Sequence, residues 1–430
     1  MVVRSTRQTG KTRIARAAAN AEKANAARGL PSDYERTMIK LDKETWRAAG
    51  VFVAGFLTFF NLYTPQAFLR TLAHDLDVPP LQIGWAVTVS LLAVAVIAPV
   101  AGALSDRFGR KRFIVGASYG LILPTVMVAL SATLPELLFW RTVQGLMLPF
   151  IFTITVAYVS DECPGAQAIK TSGMYAAGTI FGGFLGRFLG GIIADIADWR
   201  MAFLTMAALT VGLASFVLYA MPREMKFRPV LGGVEANLRA YREHLRNKRL
   251  IATCVIGFGM LFSMVACFTF VNFYLADAPF ELSPTQVGSV FAVYLLGMVS
   301  APLATRVAVK IGRVPALMVA LGISTLGFLA TTVPILAVVV AGLAFSTAGL
   351  LVTQALSLGF IGAIVPRARS SAVGLYVTVF YTGGALGGVL PGPLWREFGW
   401  IGVLGLLWAI LAIMAITALR YWRLPPKSLS

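Results

Sequence analysis

At 430 residues the chain could hold about two to four soluble domains, but 57% hydrophobic and only 13% charged residues, with a mean hydropathy of +0.77, exclude that reading. That much apolar surface has to face lipid or other buried helices, so the chain reads as an integral membrane protein. The net charge of +18, from 37 Lys+Arg against 19 Asp+Glu, raises nucleic acid as a partner until the positions of the charges are considered.

Residues 1–48 form a basic arm. The first long apolar run begins near Val51, too far along for a cleavable signal peptide with a short charged start, so the arm is expected to stay attached. A bilayer asks for about 20 apolar residues per helix, and twelve segments supply them: 49–69, 83–104, 113–133, 137–160, 170–194, 201–221, 250–275, 286–305, 314–333, 335–361, 371–393 and 401–421. The predicted domains are therefore six helices in 49–221 and six in 250–421, joined by a polar linker at 222–249 and followed by a tail at 422–430.

Alternating crossings put the arm, the linker and the tail on one face, which collects 32 of the 37 Lys+Arg. The rest are Arg70, Arg200 and Arg396 on the other face, and Arg141 and Arg187 inside spans. This asymmetry is the positive-inside pattern, and it predicts that both termini lie in the cytoplasm of a cell carrying the chain in its cytoplasmic (inner) membrane. It also accounts for most of the excess charge through lipid head groups, without nucleic acid. Cys163, Cys254 and Cys267 are too few for a disulfide framework, and His74 and His244 sit in polar connections, so no metal site and no cofactor are expected.

The two halves repeat. PLQIG (80–84) matches PTQVG (284–288), Gly109-Arg110 matches Gly312-Arg313, GMYAAGTIFGGFLG (173–186) matches GLYVTVFYTGGALG (374–387), and Trp199 matches Trp400. FLTFFNLY (56–63) likewise resembles CFTFVNFY (267–274). A parallel six-helix repeat predicts two pseudo-symmetric bundles with a site between them near mid-membrane, the plan of an alternating-access carrier.

Between the second and third spans lies GALSDRFGRKR (102–112), which resembles the G-x-L-a-D-r-x-G-r-k signature of the major facilitator superfamily. Arg141-x-x-Gln144-Gly145 in span four is similar to that family's R-x-x-q-G element, and together the likeness covers about residues 46–421. It implies the twelve-helix fold, a small-molecule substrate, no enzymatic activity and a monomer, with the drug/proton antiporter branch and related permeases as the nearest look. It further implies a conformational latch. Gly102, Asp106, Arg107, Gly109 and Arg110 would supply its loop, and Asp161 or Glu162 the acid that holds Arg110 while the cavity faces outward. The second half retains only Gly312 and Arg313, with Val309 in the place of Asp106, so the latch is expected in the first half alone. The glycine runs Gly178, Gly182, Gly183 and Gly186 in span five, and Gly383, Gly384 and Gly387 in span eleven, read as close helix packing. Here Gly182-Gly183 stand where the antiporter motif has Gly-Pro.

Polar residues deep in spans are the candidate cavity. Thr58 and Asn61 in span one and Thr269 and Asn272 in span seven are repeat-related pairs expected to face it from opposite sides, with Tyr63 and Tyr274 nearby and Gln144 beside Arg141. Interhelical hydrogen bonding is the competing role for these asparagines. Arg141 and Arg187 at similar depth suit bidentate binding of an anion, unless Glu136 and Asp195 neutralise them. No Asp or Glu lies mid-span, which favours neutral, amphipathic or anionic substrates and leaves Asp195 and Glu136 as the candidates for proton coupling. Three functions are thus open: an efflux antiporter for a small organic solute, an uptake symporter for an anionic metabolite, and a transport-dead receptor or scaffold on the same fold.

Overall fold

A computed structural model describes residues 33–163, 165–224, 242–365 and 369–422. The arm up to residue 32, most of the linker and the tail from 423 lie outside the described residues. The chain is all-helical. In order it runs through α1 (Asp33–Tyr63), α2 (Trp85–Phe108), α3 (Arg110–Leu130, interrupted at Leu121), α4 (Leu134–Glu162, interrupted at Leu148), α5 (Gly165–Ile196) and α6 (Trp199–Ala220). The second half holds α7 (Lys248–Ala276), α8 (Pro284–Val290, Phe291–Leu296 and Gly297–Ile311 in succession), α9 (Arg313–Ala330), α10 (Leu336–Ile364), α11 (Arg369–Gly387) and α12 (Gly392–Tyr421).

Among the described residues ten of these runs are long and apolar enough to cross a bilayer; α8 is apolar over its described stretch Pro284–Ser300 and α11 is helical but more polar, against the twelve apolar spans expected. The 3-10 turn Phe291–Leu296 in the middle of α8 does not interrupt that run, and α11 carries Ser, Thr and Tyr along much of its length. Both pack on the opposite bundle, where a helix wall replaces lipid and strict apolarity is not demanded.

Helix contacts obey the repeat. Within the first bundle α1 packs on α5 and α6, α2 on α4, and α3 on α4 and α6; within the second α7 packs on α11 and α12, α8 on α10, and α9 on α10 and α12. Two seams, α2 against α11 and α5 against α8, join the bundles.

The glycines explain the closest of these contacts. A methyl at Gly178, Gly182 or Gly186 would strike the carbonyl oxygens of Phe52, Phe56 or Phe60 in α1, and one at Gly383 or Gly387 would strike those of Phe258 or Phe262 in α7. Backbones this near admit no side chain, and the gain is dispersion contact that lipid cannot match. Gly183 and Gly384 lie one residue off these stripes; Gly183 lies under the Arg187 guanidinium and Gly384 against Leu261 and Leu91. The equivalent loops after α2 and α8 each turn on a glycine with positive φ, Gly109 at +100° and Gly312 at +89°, a conformation that side chains disfavour.

Candidate functional site

Among the described residues the bundles meet most tightly at one end, the face that carries the loops 64–84, 276–284 and 388–392. There Arg70 pairs with Asp277 (2.9 Å) and also donates to the Ala276 carbonyl, Asn272 Nδ2 donates to the Gln66 carbonyl (2.7 Å), and Thr88 Oγ1 donates to the Ala385 carbonyl (2.8 Å). Ser283 Oγ donates to Asp195 Oδ2 (2.8 Å) across the α5–α8 seam. Toward the linker face the same seam thins: α5 meets α8 closely over Pro284–Leu296 but scarcely along Gly297–Ile311. Ser172, Gly173 and Met174, three successive residues on α5 and thus more than one side of it, are exposed there. Among the described residues the bundles are sealed on one face, and the contact between α5 and α8 thins toward the other.

Beneath the seal lies a cavity of about 130 Å³ walled by both bundles, with Phe59, Tyr63, Thr179 and Arg187 from the first and Met260, Met264, Tyr294, Gln354, Phe380 and Tyr381 from the second. Phe59 and Tyr63 are one turn apart on α1, and Thr179, Gly183 and Arg187 are one turn apart on α5, so each helix presents one stripe. Arg187 is the one charged group among the described lining residues. Its Nε and Nη2 both donate to Gln66 Oε1 (2.8 and 2.5 Å), Nη1 donates to the Gly183 carbonyl (2.7 Å), and its carbon sits 4.3 Å from the Tyr63 ring, 4.6 Å from Tyr294 and 4.7 Å from Phe291.

Of the residues singled out from sequence as cavity candidates, Tyr63 and Arg187 line this cavity, as does Gly183, which was read for packing; Thr58, Asn61, Arg141, Gln144, Thr269, Asn272 and Tyr274 do not. Asn61 stands two positions from both Phe59 and Tyr63, about 200° around the helix from either at 3.6 residues per turn. It therefore points into the first bundle, where Nδ2 donates to Thr210 Oγ1 (3.1 Å) and to the Leu57 carbonyl (2.9 Å). Thr58 donates to its own helix at Ala54 (2.8 Å). Arg141 is fully buried in the same polar knot, donating to the carbonyls of Ala86 (3.0 Å), Asn61 (3.3 Å) and Leu62 (2.7 Å) and to Gln144 Oε1 (2.7 Å), while Gln144 donates onward to Thr125 (2.7 Å). The two arginines are thus not partners in one anion site, because α4 turns Arg141 away from the cavity. Neither uses the acid nearest in sequence: Glu136 accepts from the Ala132 amide (2.9 Å), and Asp195 is held at the seam by Ser283. Thr269 and Asn272 contact Gln66 beside the seal, and Tyr274 stacks on Trp400 with ring centroids 5.3 Å apart.

At the linker face Arg110 Nε donates to Asp161 Oδ2 (2.6 Å), joining α3 to the end of α4. Glu162 is buried and its carbonyl accepts from Arg47 (3.2 Å); Gly102 faces open space and Arg107 is exposed. The Asp106 side chain lies outside the described residues. Glu224, just past α6, accepts from the Lys111 amide (2.5 Å) and lies near Gly109, so it caps the helix that the motif opens.

Gln66 was not among the residues singled out, although it falls inside the first predicted span and obeys the same rule of depth as Asn61. Pro65 in front of it reads as the end of a helix, yet the chain continues as a buried 3-10 turn, Thr64–Ala67, that swings Gln66 toward α5 and α7. Gln354, seven residues inside the predicted span 335–361, obeys the same rule and was likewise not singled out, and Phe380 and Tyr381 lie in the repeat segment 374–387, which was read for packing alone.

Two helical bundles related by a repeat, sealed on one face around a shared central cavity, define a multi-pass membrane carrier. The family model of the Major Facilitator Superfamily matches residues 51–281 and 265–430, and the chain belongs to that superfamily as a secondary transporter rather than an enzyme. It is 29% identical over 360 residues to the uncharacterised MFS-type transporter YybF of Bacillus subtilis, covering 82% of this chain and 87% of that one. It is 28% identical over 356 residues to the inner membrane transport protein YnfM of Escherichia coli, covering 82% and 85%. The crystal structure of the nucleoside transporter NupG superposes with a TM-score of 0.74 at 15% identity over 87% of this chain and 100% of that one, a likeness of fold.

Proposed function

We propose that the chain exports a small amphipathic organic solute across the cytoplasmic membrane, with the linker face in the cytosol. The observation that carries this is the cavity itself: aromatic and methionine side chains from both bundles, with one guanidinium, beneath a seal on the face opposite the linker. Thioether and ring surfaces accommodate varied apolar shapes, and the gathering of 32 of 37 Lys+Arg on the linker side supports that side as cytosolic. The cavity then faces the cytosol, the side from which an exporter loads. Export as the direction rests on the likeness to the antiporter branch. Proton coupling is assigned to Asp195, whose ionised carboxylate accepts the Ser283 hydroxyl at the seal; protonation turns that charge-assisted hydrogen bond into a weaker neutral one and loosens the closed face.

The test uses everted vesicles that carry the full chain, with empty vesicles as background and a labelled panel of neutral and anionic naphthalene derivatives as probes. Accumulation of at least one probe when the lumen is acidified, lost on uncoupling and insensitive to pH in Asp195→Asn, is expected. Accumulation only in right-side-out vesicles reverses the direction, and transport of none by folded protein overturns the carrier reading.

A further inference from the structure

Arg187 is buried in the cavity wall with no carboxylate beside it among the described residues, an arrangement that needs a reason. Removing a cation from water is expensive, and buried charges are ordinarily paired. Its neighbours here are ring faces, which attract a guanidinium but carry no net charge, a backbone carbonyl and one carboxamide oxygen. That oxygen, Gln66 Oε1, accepts from Nε at 2.8 Å and from Nη2 at 2.5 Å. This edge of the guanidinium is the one a carboxylate occupies with two parallel hydrogen bonds, and Gln66 fills it with a single neutral atom. A guanidinium has five N–H donors; three of them go to Gln66 and Gly183, leaving one on each terminal nitrogen for a guest.

Gln66 also belongs to the seal. Its carbonyl accepts from Asn272 and its Nε2 donates to Thr269 (3.4 Å), both in the other bundle. Anything that takes the guanidinium away from Gln66 frees the side chain that bridges the two bundles.

We infer that Arg187 is the binding site for the carboxylate of a planar aromatic monoacid, that Gln66 is its resident stand-in, and that exchange of one for the other loosens the seal. The inference rests on the carrier reading for its consequence, and it narrows the solute to an anion with an apolar body. Phe59, Phe380 and Tyr381 take the body, and Arg187 takes the charge. A carboxylate outcompetes the carboxamide because charge-assisted hydrogen bonds are about twice as strong as neutral ones.

Binding is read on the purified full chain by thermal shift and by titration calorimetry, with benzoate, 2-naphthoate and their carboxamides as probes. An acid is expected to bind at least about tenfold more tightly than its amide, the factor that corresponds to one well-made charge-assisted interaction. Arg187→Lys keeps the charge but loses the fork and weakens acid binding about tenfold. Gln66→Glu installs a permanent carboxylate: the protein keeps or gains thermal stability while acid binding disappears, which a merely structural pair would not produce. Equal binding of acid and amide, binding of neither, or wild-type acid binding in Gln66→Glu overturns the inference. Tight acid binding with no flux in liposomes keeps the anion site and removes the carrier reading. Flux of the amide that is unchanged in Arg187→Lys keeps the carrier and removes the anion site.

Discussion

Asn61 and Asn272 occupy equivalent turns of α1 and α7, within FLTFFNLY and CFTFVNFY, and have different partners. Asn61 is tied inside its own bundle, to Thr210 in α6 and through its carbonyl to Arg141 in α4. Asn272 reaches out of its bundle to the Gln66 carbonyl. The difference lies in what surrounds them. Moving along the repeat, the counterparts of Thr125, Arg141 and Thr210 are Phe328, Leu343 and Leu411, all buried and all apolar. Among the described residues the second bundle holds no such polar knot for Asn272 to join, so the same residue at the same depth becomes a seam contact. The first bundle is fixed by directional bonds to a buried charge, and the second by dispersion among Leu, Phe and Met with short Ser/Thr-to-backbone bonds.

The strongest way to break this contrast is Arg141→Met. Three backbone carbonyls and Gln144 Oε1 lose their donor in a place water does not reach. Each buried acceptor left unmade costs about 1 to 3 kcal/mol, so the variant is expected to lose about 3 kcal/mol or more, seen as a large drop in the midpoint of thermal unfolding in detergent. An unchanged midpoint would mean that the knot does not hold the first bundle.

The paired substitutions Asn61→Leu and Asn272→Leu sharpen the contrast, since chemistry and helix are alike and only the partners differ. Asn61→Leu strands Thr210 and should cost about 1 to 3 kcal/mol of stability. Asn272→Leu removes one bond from the seal, worth about 1 kcal/mol, and should shift the balance toward opening by about fivefold while barely moving the unfolding midpoint. Opening is measured as the reaction rate of a cysteine placed at Thr269 with an impermeant thiol reagent; the three native cysteines are buried. Equal stability losses in the two variants would erase the distinction between knot and seam.

Much of this was legible before any coordinates. Apolar length and the distribution of Lys and Arg locate the helices, and the repeat dictates which of them pair, because glycines at equivalent places must meet equivalent backbones. The side chains of the cavity were harder to foresee. Depth along the chain marked Arg141 and Arg187 alike, but depth carries no azimuth, and azimuth alone separates a guanidinium in a bundle core from one in a cavity wall. For Asn61 the angle was available, since Phe59 and Tyr63 flank it on the other side of the helix. Gln66 and Tyr294 escaped because each sits on or beside a 3-10 turn, Thr64–Ala67 and Phe291–Leu296, where the 100° step per residue that pattern arguments assume no longer holds.

The smallest change in stability is expected at the corner where α3, α4 and the start of the linker meet. Arg110 and Asp161 form a 2.6 Å pair there, but the Asp161 side chain is 43% exposed, and a pair so open to water contributes about 0 to 1 kcal/mol. Arg110→Ala should therefore leave the unfolding midpoint close to wild type. It should nonetheless lower the initial rate of vesicle uptake, if the pair biases the access states rather than the fold. Salt supplies an independent check. At 1 M ionic strength the screening length falls to about 3 Å, against about 10 Å at 0.1 M, so a wild-type rate that depends on this charge pair should move toward that of the variant as salt rises, with no matching change in the variant itself. Loss of stability and of transport together, unaffected by salt, would place Arg110 beside Arg141 as a residue that holds the first bundle in shape.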